Sequence, residues 1–126
     1  MNGVLIFLFA EAALWIPYGI YCLLVPTVLA DGATVLAQSP TGTTELRAMY
    51  GGLQIAIGVS CLLGAFVETY RTSALYLLLV VGAGIGLGRL LGVLLDGSPG
   101  AYTLLALAFE FVTAVVAARL LSRVRS

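Results

Sequence analysis

The chain has 126 residues, 61% of them hydrophobic and 10% charged, with six arginines balancing six acids and no histidine. Soluble domains carry about a quarter charged residues, so this composition belongs to a membrane protein. A neutral chain without lysine excludes a basic nucleic-acid-binding surface, and the lack of histidine removes the commonest general base and metal ligand.

About 20 apolar residues are needed to cross a bilayer, and four stretches reach that length. The first runs from about Gly3 to Val25 and stops at Pro26. It has no basic leader and no small-residue cleavage site, and Glu11 interrupts its apolar run, so it reads as a retained helix and not a signal peptide. Glu11, Trp15, Tyr18 and Cys22 share one face, where Pro17 can kink the helix and free a carbonyl. Residues 26–43, PTVLADGATVLAQSPTGT, form the only long connection. There Val28, Leu29, Val35 and Leu36, set among polar residues, predict a short segment in the headgroup region.

The second span, from about Thr44 to Val67, carries Arg47, Tyr50, Gly51, Gln54, Gly58 and Cys61 as one polar and small stripe. Cys22 and Cys61 differ in depth by roughly 20 Å, far more than the ~6 Å between disulfide-bonded Cα atoms, so they read as packing residues. The third span, from about Ser73 to Leu95, ends at the DGSPG turn, and Gly82, Arg89 and Asp96 recur in it every seven residues. Gly84, Gly88 and Gly92, with Gly82 and Gly86 beside them, have the spacing of close helix contact, within the molecule or between copies in a homo-oligomer. GAGIGLG has Leu87 where a dinucleotide fingerprint needs glycine, and it lacks the strand–helix–strand context. The last span runs from about Ala101 to Leu121 and contains Phe109 and Glu110.

These elements predict an all-α membrane protein, a single four-helix transmembrane domain. Arg71 and the C-terminal Arg119, Arg123 and Arg125 lie opposite Asp31 and the LLDGSPG turn, which by the positive-inside rule makes both termini cytoplasmic. Arg47 falls on the wrong side for that rule, so a function or a partner is expected to hold it there.

Counted at 1.5 Å per residue from the outer helix ends, Arg47, Tyr50, Gln54, Arg89 and Glu110 fall within ~5 to ~15 Å, with Asp96 at the mouth and Glu11 deeper, at ~20 Å. A guanidinium in hydrocarbon needs a partner close by, and Glu110 is the carboxylate at the depth of Arg89, with Asp96 two turns above. A pairing of Arg47 with Glu45 or Asp96 nearer the surface would be wetter and weaker. Glu11, with no arginine at its level, either carries a proton or is hydrogen-bonded to a tyrosine, a glutamine or a displaced carbonyl. Such groups either fix helix register or line a functional cavity. No zinc, P-loop or Ser-His-Asp arrangement can be written from them, so neither metal nor cofactor is expected.

The stretches ELRAMYGGLQIAIG (45–58), GRLLGVLLDGSPG (88–100) and FEFV (109–112) resemble a family of small four-span bacterial membrane proteins classed only as a domain of unknown function. Its signature is like Arg-Ala-x-Tyr-Gly-Gly, then Gly-Arg with a downstream Asp-Gly, then a glutamate in the last span. The resemblance covers nearly the whole chain and marks Arg47, Tyr50, Gly51, Gly52, Arg89, Asp96, Gly97 and Glu110. It implies the bacterial inner membrane and an architecture similar to the DoxX-like four-helix proteins, and it supplies no activity.

From these residues three functions are expected in turn. The first is a cofactor-independent acid/base enzyme, an isomerase, cyclase or epoxide-opening enzyme acting on an isoprenoid, sterol-like or polyketide molecule dissolved in the bilayer. In it Glu110 or Asp96 is the acid or base, Arg89 holds one carboxylate charged, and Tyr50 and Arg47 donate to a substrate oxygen. Glu11, Trp15, Tyr18, Gln54 and Phe109 line the substrate. The second is a non-catalytic accessory subunit, and the third a small proton-linked carrier working through Glu11 and Glu110.

Overall fold

The computed structural model describes residues 2–97 and 99–125; Ser98 of the predicted turn and the side chain of Arg125, counted above among the C-terminal arginines, lie outside that set. The described residues form helices and connections without strands: α1 (Asn2–Leu24), α2 (Val28–Gly32), α3 (Pro40–Leu46), a π-helical segment (Arg47–Gly52), α4 (Leu53–Phe66), α5 (Glu68–Asp96) and α6 (Ala101–Arg125). Four stretches are long and apolar enough to cross a membrane: Asn2–Leu24, Pro40–Phe66, Glu68–Asp96 and Ala101–Val124. Large apolar side chains on every one of them, such as Ile6, Leu14, Leu63, Val80, Leu94 and Leu105, are exposed. Helices apolar around their whole circumference belong in lipid, and the chain is an all-α, multi-pass membrane protein.

Contacts divide the chain into two compact units, Met1–Arg71 and Thr72–Ser126. In the first, α1 runs antiparallel to the second span. The contact rests on glycines: a Cβ at Gly58 would meet Ile16, one at Gly19 would meet Ile55, and one at Gly51 would lie 2.7–3.0 Å from Leu23, backbone included. Pro17 lies inside α1 without ending it. The chain leaves α1 ahead of Pro26, and in the connection Leu29 of α2 is fully buried while Leu36 is exposed, so α2 is anchored to protein by one side chain. Phe9 and Phe66 pack edge to face, 5.3 Å between centroids, where α1 begins and α4 ends.

The second span begins at Pro40, four residues before the expected Thr44, because Ser39 caps it. The Ser39 hydroxyl accepts from the Gly42 amide at 3.1 Å, and Pro40 occupies the first turn, where a missing N–H costs nothing. Polar residues of the connection thus extend the helix beyond its apolar run. Its other end is equally economical. Val67 alone adopts an extended conformation, and α5 starts at Glu68, so the residues expected to link the spans are already helical. Arg71 donates from Nε to the Gly64 carbonyl at 3.4 Å across this break, and its contact with exposed Glu68, at 3.5 Å, adds little.

In the second unit α5 packs on α6 through Gly82 and Gly86. A Cβ at Gly82 would stand 2.9 Å from the Glu110 carbonyl oxygen, and one at Gly86 would touch Glu110 and Phe111 at 3.5 Å. The other expected glycine stripe is not part of this contact. Gly84 and Gly88 face open space, and Gly92 nears only the Asp96 carboxylate of its own helix. Both stripes have the right spacing, but only one points at α6. Gly97 ends α5 at φ +95°, a left-handed conformation that favours glycine, with its amide donating to Val93 O at 3.1 Å.

Candidate functional site

The strongest polar contact in the apolar helices is between Arg89 of α5 and Glu110 of α6. Arg89 Nε donates to Oε1 at 3.1 Å and to Oε2 at 3.0 Å, and NH2 donates to Oε1 at 2.7 Å. This fork against a carboxylate is the geometry that makes arginine, and not lysine, fit such a position. It exists because Gly82 and Gly86 let α6 approach at the level of Glu110, one and two turns from Arg89 along α5. Depth alone matched these partners in the sequence; the glycines bring them within reach.

The pair is asymmetric. The Glu110 side chain is 6% exposed and that of Arg89 25%, so the carboxylate sits behind the guanidinium. Arg89 Cζ lies 5.9 Å from the Tyr102 ring centroid, a cation–π distance, and Thr113, one turn beyond Glu110, is 1% exposed. Neither Tyr102 nor Thr113 was singled out in the sequence. Tyr102 lies eight residues before Glu110, two turns along the same helix, and that spacing was the available signal. Phe109 is half-buried beside Glu110, and Asp96 is exposed at the end of α5. The Arg89–Glu110 fork forms without Asp96, whose seven-residue spacing from Arg89 puts it on a similar side but a full two turns away.

The other candidate residues belong to the first unit. Glu11 is 4% exposed and accepts from Trp15 Nε1 at 2.8 Å. One partner of Glu11 is therefore a residue one turn along its own helix, and Trp15 serves as a hydrogen-bond donor as well as an apolar wall. An i,i+4 pair needs no second helix to form. Tyr18 is half-buried one turn further. Cys22 and Cys61 are buried free thiols.

Arg47 is bound at a helix end. Within its own unit it reaches not Glu45 but the end of α1, where NH1 donates to the Leu23 carbonyl and, at 3.3 Å, to that of Leu24. The last carbonyls of a helix lack intrahelical donors and carry the negative end of its dipole, so a cation there is favoured. The arginine expected to be held in place by a function or a partner is held by a helix terminus. Tyr50 and Gln54 follow it, half-buried, and Gly51 between them is buried against Leu23. Arg47, Tyr50 and Gly51 all lie in the π-helical segment, which no periodicity in the sequence announced. Among the described residues no three His, Cys, Asp or Glu side chains gather as metal ligands would.

The structure thus brings together Arg89 and Glu110, adds Tyr102, and separately joins Glu11 to Trp15 and Arg47 to the end of α1. A family model described as Domain of unknown function (DUF4345) matches residues 4–121. No curated protein and no solved structure matches the chain.

Proposed function

Since the chain belongs to that family, whose description carries no activity, we propose its function from the site: an intramembrane acid/base enzyme acting on a lipid-soluble isoprenoid, sterol-like or polyketide substrate. The observation behind this reading is the asymmetry of the ion pair, a part-exposed guanidinium covering a buried carboxylate. In an isomerisation Arg89, flanked by the Tyr102 ring, binds a substrate oxygen and turns from Glu110. Glu110 then removes a proton from one carbon and returns it to another, so no electrons or co-reactants are exchanged. Cyclisation and proton-assisted epoxide opening draw on the same two groups. Asp96, exposed at the end of α5, serves as an entrance residue in this scheme, and Arg47, Tyr50 and Glu11 hold the first unit together. In this reading the protein sits in the bacterial inner membrane, and the arginine distribution favours an orientation with both termini in the cytoplasm.

A second reading has an observation of its own: both Glu110 oxygens already accept from Arg89, as in an ion pair that fixes helix register in a non-catalytic subunit. Two variants separate the two. Under the enzyme reading Glu110→Gln stays extractable and monodisperse, and lipid extracts of cells producing it differ from those of cells producing the wild type in one apolar species. The exchanged pair Arg89→Glu/Glu110→Arg regains stability in detergent without restoring that species. Full recovery of both by the exchange, or an unchanged lipid profile in Glu110→Gln, would leave register as the role of the pair. Loss of proton-gradient-driven uptake in liposomes carrying Glu11→Gln would instead mark a carrier.

A further inference from the structure

Among the described residues the helical ladder departs from α geometry in one place, Arg47–Gly52, with α-helix on both sides at Pro40–Leu46 and Leu53–Phe66. A π turn holds one residue more than an α turn, with bonds from i to i+5, and is rare outside single-turn bulges. The residues around this bulge show which side carries the surplus. Gly51 faces α1 at contact distance from Leu23, and the ladder continues through Ile55 on Gly19 and Gly58 on Ile16, spaced four and three residues on both helices. Ala48, Met49 and Gly52 are exposed. The face packed on α1 therefore keeps ordinary α spacing from Gly51 onward, and the extra residue is accommodated on the outer side.

We propose that Arg47–Gly52 is a single-residue insertion in an otherwise α-helical span and works as a movable joint. Its inner side rests on α1 through Gly51 against Leu23, and opening of its longer-range bonds lets Arg47 and Tyr50 shift against the end of α1. The Arg47 bonds to the Leu23 and Leu24 carbonyls are the latch that holds the joint in the present position. Removing one residue from a π turn returns it to α with both flanks facing as before, whereas removing one from true α-helix turns everything beyond it by about 100°.

The test compares the full chain in lipid nanodiscs with two deletions, of Ala48 inside the segment and of Ala56 in α4. In the wild type, amides of residues 48–53 should exchange roughly tenfold faster than those of residues 57–62, with Arg47→Gln faster still. Deletion of Ala48 should abolish that fast exchange and keep the melting temperature at or above the wild-type value, while deletion of Ala56 lowers it sharply. Uniform protection across the span in the wild type, fast exchange that persists without Ala48, or equal damage from the two deletions would each overturn the proposal. Neither readout depends on catalytic activity, so failure of the enzyme reading leaves this test intact.

Discussion

Glu110 shows how much a single apolar environment asks of one side chain. Arg89→Ala leaves its carboxylate buried without the cation, a loss of about 3–5 kcal/mol for pairs of this kind, whereas Arg89→Leu combined with Glu110→Leu removes both charges and costs less. Thermal unfolding in detergent should order the variants with the double substitution nearer the wild type; the reverse order would show that the charges are solvated independently. Glu11 makes a smaller demand. Trp15→Phe keeps the ring and deletes the Nε1 donor, so the protein should lose about 1–3 kcal/mol, and no loss would mean that the bond from Trp15 is redundant.

At the scale of an element, glycines with the same spacing have opposite consequences on the two sides of α5. Gly82→Ala places a methyl 2.9 Å from the Glu110 carbonyl oxygen, which must move, and should cost about 1–3 kcal/mol while pulling Glu110 from Arg89. Gly84→Ala meets nothing within 4 Å and exchanges glycine for a better helix former, so it should be neutral or raise the melting temperature. Equal losses from both would show that the open side of α5 is covered by something in the membrane. The glycine repeat was plain in the sequence, but which of its two lines meets α6 was not, because periodicity defines faces without saying what stands opposite them. The early start of the second span has a similar cause: Ser39 and Pro40 are cap residues, and hydropathy does not register caps.

For the whole molecule, the test is topological. Four spans return the chain to its starting side, and the positions of Arg71, Arg119 and Arg123 predict that this side is the cytoplasm. A fluorescent protein fused to the C-terminus should therefore mature in the cytoplasm, and alkaline phosphatase inserted at Gly100 should be active; phosphatase activity at the C-terminus instead would invert the assignment. Arg47 is the residue that departs from this charge pattern, and its bonds to the end of α1 explain the departure without a second charged partner.

Length and apolar composition were enough, on sequence alone, to establish an all-α membrane protein with four crossing helices, because a backbone in hydrocarbon has to satisfy its hydrogen bonds within each helix. Depth along those helices was also readable, since the rise per residue is constant, and it matched Arg89 to Glu110 before any contact was seen. Partners that depend on rotation and on local backbone geometry were decided only by tertiary structure: Trp15 for Glu11, the α1 carbonyls for Arg47, Tyr102 beside Arg89, and the π turn under Tyr50. A sequence states how far along a helix each group sits, whereas its direction depends on the neighbouring helix that packing selects.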